Sequence, residues 1–216
     1  MQSRKLTGLK ELYLVMGYQC NVRCTFCFQA DFSSRYNLDR RIWREKLLPA
    51  YAVTENIVIQ GGEPTIMRNC LEFCDLLGQE YPHITLRMNT NGTRLTDSVE
   101  ELFLAQGGTV TFSLNALNKT VYEQLMVHSD HARVFANLER LARRRNEMKR
   151  PLEIGLSMVL VQPNLFEIAP LIRYAAGLPA NVVLVHDWIL STEVDLGMAQ
   201  RAVAEGYEAI DAAGGI

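Results

Sequence analysis

Three cysteines lie within eight residues of one another near the start of the chain. Cys20, Cys24 and Cys27 occur in the segment CNVRCTFC. Thiolates at this spacing can wrap around one soft metal centre, including an iron–sulfur cubane. On a four-iron cubane, three thiolates would leave one iron open to a substrate or cofactor. A zinc ion normally takes four protein ligands, so zinc completed by a distant residue and three buried thiols without metal are the alternatives.

A second segment, Gly61-Gly62-Glu63-Pro64, follows an apolar run and could also do chemistry. Glycines let the main chain approach a ligand closely. The glutamate and the exposed carbonyls could accept hydrogen bonds from an ammonium group. Taken alone, the segment is equally well explained as a turn from a strand into a helix.

The elements that must position these motifs alternate between short strand-like runs and longer amphipathic stretches. Strands are predicted at 12–16, 56–60, 84–88, 109–114, 152–161 and 181–185. Helices are predicted at 39–48, 67–77, 97–105, 120–148 with an interruption at 128–131, 165–176 and 198–210. Six such repeats predict parallel strands joined through helices.

The third, fourth and fifth strands are polar on one face only. In the fourth, Thr109, Thr111, Ser113 and Asn115 alternate with apolar residues. A sheet covered by helices on both faces would be apolar on both, and six units are too few for a complete eight-unit barrel. We therefore predict an α/β fold, a partial (β/α)6 TIM-like barrel with helices outside and a polar, laterally open lumen.

Composition limits the class of protein. The 216 residues carry 22 Lys+Arg and 24 Asp+Glu, a net charge of −2, and 48% are hydrophobic. These values predict one globular domain over 1–216 and disfavour a nucleic-acid partner. The arginine-rich stretch 140–150 is typical of a solvated helix face. Without an apolar run of about 18 residues, no membrane partner is expected, and we predict a cytoplasmic protein.

The remaining cysteines, Cys70 and Cys74, stand four apart on a predicted helix and hence on one face. Two thiols are too few to hold a metal ion. We expect both to be buried as small hydrophobic residues.

The cysteine loop, residues 18–30, resembles the cluster motif of the radical S-adenosylmethionine (radical SAM) superfamily. Phe26 occupies the aromatic position of the family's Cys-x-x-x-Cys-x-aromatic-Cys pattern, and residues 61–64 match its GGEP motif. The resemblance implies an enzyme whose [4Fe-4S] cluster is held by Cys20, Cys24 and Cys27. The cluster would cleave SAM to methionine and a 5′-deoxyadenosyl radical that abstracts a substrate hydrogen.

The resemblance also implies contacts to SAM. It assigns the GGEP segment, Gly61, Gly62, Glu63 and Pro64, to the methionine amino group, and Ser113 and Asn115 to the ribose. Further candidates for cofactor contact are Phe26, Asn89, Ser157 and Asn164. His186, at the end of the sixth strand, is the candidate catalytic residue, for proton transfer with the substrate or a hydrogen bond to adenine.

The substrate is not encoded in these motifs. A lateral opening favours a peptide or protein substrate, with a small polar metabolite as the alternative. A non-enzymatic iron–sulfur protein for electron transfer or sensing is the alternative of another class. The resemblance implies a reductant such as flavodoxin or ferredoxin. Because no cysteine follows residue 74, a C-terminal extension with further clusters is expected to be missing, and a fragment of a longer protein is one interpretation of the chain.

Overall fold

Six parallel strands form one sheet in the order in which they follow along the chain. A computed structural model describes residues 7–29, 36–186 and 195–214; the side chains at 182, 183, 185 and 186 also lie outside the description. The sheet strands are β1 (Leu9–Gly17), β3 (Thr54–Gly61), β4 (Thr85–Thr90), β5 (Gly108–Ser113), β7 (Leu152–Leu160) and β8 (Asn181–His186). With β1 and β8 as the two edges, the sheet is that of a laterally open, partial (β/α)6 barrel, as predicted.

Helices fill the connections between these strands. They are α1 (Leu48–Tyr51), α2 (Arg68–Glu80), α3 (Asp97–Gln106), α4 (Lys119–Leu125), α5 (His131–Met148), α6 (Ile168–Gly177) and α7 (Leu196–Ala212), with 3-10 turns at Pro64–Ile66 and Gln162–Glu167. Among the described residues, no helix is long and apolar enough to cross a membrane.

Strand alternation separates a covered face of the sheet from an uncovered one. In β4, Leu86, Met88 and Thr90 are buried, whereas Thr85, Arg87 and Asn89 are exposed. The buried side chains join a continuous core with helix residues such as Phe73, Phe103 and Leu138. Helices therefore cover one face, and the predicted polar face remains open. Cys70 and Cys74 lie fully buried in the same core, as predicted.

Two predicted helices take a different form. Residues 39–48 contain a π-helix at Ile42–Lys46 rather than a regular α-helix. Residues 120–148 divide into α4 and α5, and between them β6 (Met126–Val127) pairs antiparallel with β2 (Arg23–Cys24). Two-residue strands carry too little periodicity to be recognised in a sequence. Asp130 caps α5 by accepting a hydrogen bond from the Arg133 N–H at 3.1 Å, which explains the predicted interruption.

Several side chains of the arginine-rich stretch in α5 bind other elements of the same protein. Arg140 and Arg144 donate to the fully buried Glu100 carboxylate of α3 at 2.6 and 2.5 Å. Arg144 also pairs with Glu101. Arg145 is buried and donates to the carbonyls of residues 152, 178 and 179. These side chains fasten α5 to α3 and to the connection before β8.

Removing the Glu100 carboxylate is expected to destabilise the fold, because two guanidinium groups lose a buried partner. For Glu100→Ala we expect the free energy of unfolding to fall by about 2 kcal/mol, less than for a fully buried pair since both arginines keep access to water. Glu101→Ala is the matched control: its side chain is 58% exposed, and we expect a loss below about 0.5 kcal/mol. Urea unfolding measures the free energy of unfolding of both variants. Equal losses would contradict the stabilising role assigned to the buried Glu100 carboxylate.

Candidate functional site

The cysteine loop begins where β1 ends, at the carboxyl edge of the sheet. Cys20 is exposed, and Cys24 and Cys27 are half-buried. The Cys27 N–H donates to the Cys24 carbonyl at 3.1 Å, which folds the loop back on itself. Phe26 is partly buried against the hydrophobic core, so it anchors the loop from inside.

The GGEP segment lies directly against this loop. The Gly62 N–H donates to the Gly17 carbonyl at 2.9 Å, and the Glu63 N–H donates to the Gln19 carbonyl at 2.7 Å. A Cβ on Gly61 would lie 2.1 Å from the Gly17 oxygen, and one on Gly62 would lie 2.0 Å from the Gln19 oxygen. Gly61 also has φ +126°, which favours glycine. The close approach expected of these glycines is therefore made by Gly61 to the end of β1 and by Gly62 to the cysteine loop.

The Glu63 carboxylate points into the protein. Its Oε1 accepts from the Thr65 N–H and hydroxyl at 3.1 and 2.6 Å and from the Thr90 hydroxyl at 2.7 Å. Its Oε2 accepts from the Asn91 N–H at 2.6 Å. Burial raises the pKa of Glu63, and these donors oppose that rise. With four donors already bound, the carboxylate has little capacity left for the ammonium group considered above.

A polar network joins the turn after β4 to the cysteine loop. The Asn91 Nδ2 donates to the Asn21 Oδ1 at 3.1 Å and lies 3.8 Å from the Cys20 Sγ. The Asn21 Nδ2 in turn donates to the Thr93 hydroxyl at 2.7 Å. Asn89, the contact predicted at the end of β4, is exposed on the open face, and its contact with the cofactor stays a prediction. The Asn-Gly pair at 91–92 predicts a turn, and only the long-range contacts reveal what Asn91 touches.

The β2–β6 ribbon supports the loop from the other side. The Thr25 N–H donates to the Leu125 carbonyl at 2.9 Å. The Cys24 Sγ lies 3.4 Å from the Sδ of Met126. The same Sδ also accepts a hydrogen bond from the Asn115 Nδ2 at 3.0 Å. Met126 could not be identified from the sequence, because it lies in a strand of two residues, which carries no distinguishing pattern.

Asn115 does not share the open face with Ser113, so that part of the prediction is wrong. The strand β5 ends at Ser113, and Asn115 has φ +50°, which breaks the alternation. Asn115 is buried, and its Oδ1 accepts from the Val159 N–H at 2.8 Å. Asn164 is buried as well and donates both amide hydrogens, to the carbonyls of Asn115 and Val159. Both asparagines thus tie the ends of β5 and β7 together.

The other predicted contacts lie along the same edge. Ser113 and Ser157 are half-buried partners in the β5–β7 register. Pro64 is buried and starts the 3-10 turn after β3. His186 ends β8, but its side chain lies outside the described residues, and its catalytic role stays a prediction.

The electrostatics of the loop fit a metal cluster. Burial, followed by repulsion from Cys27 and then Cys20, raises the pKa of Cys24 to about 12. Ionisation of Cys24 is thus disfavoured unless positive charge lies nearby, such as bound iron would supply. Within the described part of the chain, no three His, Cys, Asp or Glu side chains lie close enough together to form a site for a single metal ion.

Comparison with known proteins identifies the family. Residues 14–159 match the model of the radical SAM superfamily. A GTP 3′,8-cyclase of Saccharophagus degradans is 26% identical over 173 residues, covering 78% of this chain and 51% of that protein. The chain spans about half the length of the curated relatives it matches. Since the family match covers more than half of it, the chain belongs to the radical SAM superfamily, whose members are enzymes that use a [4Fe-4S] cluster and SAM.

Solved structures share the fold. The structure of Streptococcus suis SuiB bound to S-adenosylmethionine superposes with a TM-score of 0.77 at 20% identity, covering 95% of this chain and 48% of SuiB. SuiB bound to the precursor peptide SuiA gives a TM-score of 0.76, also at 20% identity, covering 96% of this chain and 47% of SuiB. The partial (β/α)6 barrel is thus a fold that this chain shares with a protein known to bind S-adenosylmethionine.

A methyl group at Gly62 is expected to separate the GGEP segment from the cysteine loop. For Gly62→Ala we expect unfolding free energy to fall by about 1–3 kcal/mol, since neither main chain can move without breaking the hydrogen bonds between them. The control is Gly177→Ala at the end of α6, where an added Cβ meets nothing within 4 Å and stability should be unchanged or slightly higher. Urea unfolding of the metal-free protein measures both. If Gly62→Ala matches Gly177→Ala, the two segments are not in contact.

Proposed function

We propose that this radical SAM chain is the SAM-cleaving core of an enzyme that modifies a peptide or protein. In this proposal Cys20, Cys24 and Cys27 hold the [4Fe-4S] cluster, and residues 1–216 form one core domain with its cluster loop at 18–30. The observation that carries the proposal is the pair of main-chain hydrogen bonds that join the GGEP segment to the end of β1 and to the cysteine loop that follows it. They bring the thiols and the glycine turn to one end of the sheet, where a cofactor bound to one would touch the other.

In this proposal the residues of the chain bind the cluster and SAM and orient them. When bound, the reduced cluster supplies the electron that cleaves SAM to methionine and a 5′-deoxyadenosyl radical. The three thiols hold the iron, and the glycines at 61 and 62 leave the main chain close to the loop without side chains between them. Since the Glu63 carboxylate is engaged by internal donors, main-chain carbonyls of the segment are the groups we assign to the methionine amino group.

The uncovered face of the sheet supports a peptide substrate. It presents hydrogen-bonding groups along several strands, among them Tyr13, Arg87 and Asn89, all exposed. An extended chain could enter between the edges β1 and β8 and meet these groups in succession. The peptide-bound SuiB structure has the same fold and is consistent with such an occupant. We propose flavodoxin or ferredoxin as the electron donor.

A small polar metabolite is the second candidate, favoured by the curated relatives named GTP 3′,8-cyclase. The open face carries an ion pair, with the Arg87 Nη1 3.1 Å from the Glu11 Oε1. Such charged groups could orient a small anionic molecule as well as a peptide.

Anaerobic reconstitution with iron and sulfide, followed by reduction with dithionite and addition of SAM, tests the cofactor assignment. We expect wild-type protein to form 5′-deoxyadenosine, and a Cys20→Ala, Cys24→Ala, Cys27→Ala triple variant to form none above background. Chromatography with mass detection measures the product, and iron analysis measures the cluster. Cys70→Ala is the matched control because Cys70 is buried away from the loop, and it should keep its iron. A wild type that binds a cluster but does not cleave SAM would refute the proposal.

Deuterium transfer distinguishes the two substrate classes. An extract of cells grown on deuterated medium is separated by size into a protein and peptide fraction and a small-molecule fraction. Because the radical abstracts hydrogen from its substrate, we expect deuterium in 5′-deoxyadenosine with the peptide fraction. Transfer only from the small-molecule fraction would favour the metabolite, and the triple cysteine variant provides the blank.

A further inference from the structure

We propose that Asn91 is a positioning residue for the cluster ligand Cys20, and that its side-chain amide raises the reduction potential of the cluster. The inference rests on the proposed function, because it requires Cys20 to hold iron. It adds a residue that lies outside both the cysteine loop and the GGEP segment. Its basis is a buried amide whose orientation is determined by its neighbours.

The orientation of this amide follows from the groups around it. Asn91 is 6% exposed. Its Oδ1 accepts from the Thr93 N–H at 3.0 Å and from the Thr93 hydroxyl at 2.6 Å. A main-chain N–H can only donate, so the oxygen must face Thr93 and the nitrogen must face the other way. On that side lie the Asn21 Oδ1 and the Cys20 Sγ.

The main chain of Asn91 is held just as firmly. Its N–H donates to the buried Glu63 carboxylate at 2.6 Å. Glu63 is itself joined to the loop through its own N–H and the Gln19 carbonyl, at 2.7 Å. One glutamate therefore fixes both the residue that carries the amide and the residue next to Cys20. Glu63 is thus bound both to Asn91 and to Gln19, the neighbour of Cys20. These two contacts determine the distance of 3.8 Å between the Asn91 Nδ2 and the Cys20 Sγ.

An N–H directed at a ligand sulfur favours the reduced cluster. One-electron reduction adds negative charge that is shared by the thiolates, and a hydrogen-bond donor stabilises it. The side-chain neighbour of Cys24 is different: the thioether of Met126, 3.4 Å from the Cys24 Sγ, has no hydrogen to donate. The turn after β4 thus supplies Cys20 with a side-chain donor, which acts beside the main-chain N–H of Val22.

Potentiometric titration monitored by electron paramagnetic resonance tests the proposal on the cluster-loaded protein. In Asn91→Asp the Oδ1 contacts to Thr93 persist, while the donor becomes a negatively charged acceptor. We expect the midpoint potential to become more negative, because both changes disfavour added charge. Asn91→Ala removes the donor without adding charge and should shift the potential in the same direction by less. If Asn91→Asp does not fold, the midpoint potential of Asn91→Ala still tests the proposal.

Asn137→Ala is the control for a merely structural effect. The Asn137 Nδ2 donates to the Gly92 carbonyl at 2.8 Å and so braces the same turn without reaching the sulfur. We expect lower stability but an unchanged midpoint potential. Equal shifts in Asn137→Ala and the Asn91 variants, or no shift in the Asn91 variants, would overturn the inference alone. A wild-type protein that takes up no [4Fe-4S] cluster would overturn the proposed function as well.

Discussion

A single buried carboxyl group holds the carboxyl edge of the sheet together. The Glu63 carboxylate is 2% exposed, and a buried carboxylate without partners would cost several kcal/mol. Its donors come from the turn after β3 and from the end of β4 and the turn that follows it. These turns must therefore fold together. Since the N–H groups of Gly62 and Glu63 also bind the chain leaving β1, three neighbouring strand ends share one geometry.

The general architecture could be read from the sequence because it depends on repeated local patterns. Alternation in β4 indicated which face would be open, and Arg87 and Asn89 are indeed exposed. The spacing of the loop cysteines and the GGEP segment identified the edge of the sheet where the site lies. The predicted interruption at 128–131 is the place where Asp130 caps α5. Each of these predictions uses residues that are neighbours along the chain or along one face of an element.

The remaining features of the site depend on which distant segments of the chain come into contact, and no local sequence pattern indicates that. The glycines at 61 and 62 indicated a close approach, but not that the approaching group is the main chain of Gly17 and Gln19. Asn115 was expected to face the lumen, yet a positive φ turns it into the protein, where it bonds to the end of β7. The same polar residue types serve to bind ligands and to join strand ends, so type and position alone do not distinguish the two uses.

The β2–β6 ribbon also bears on when the site can be assembled. Cys24 and Met126, which touch through their sulfur atoms, are 102 positions apart in the chain. Closing such a long loop costs chain entropy that local contacts do not cost. A newly synthesised chain has all three thiols early but lacks Met126 until α4 has emerged. We therefore expect the loop to gain this support later than its local hydrogen bonds, and a cluster delivered before then would meet thiols without it.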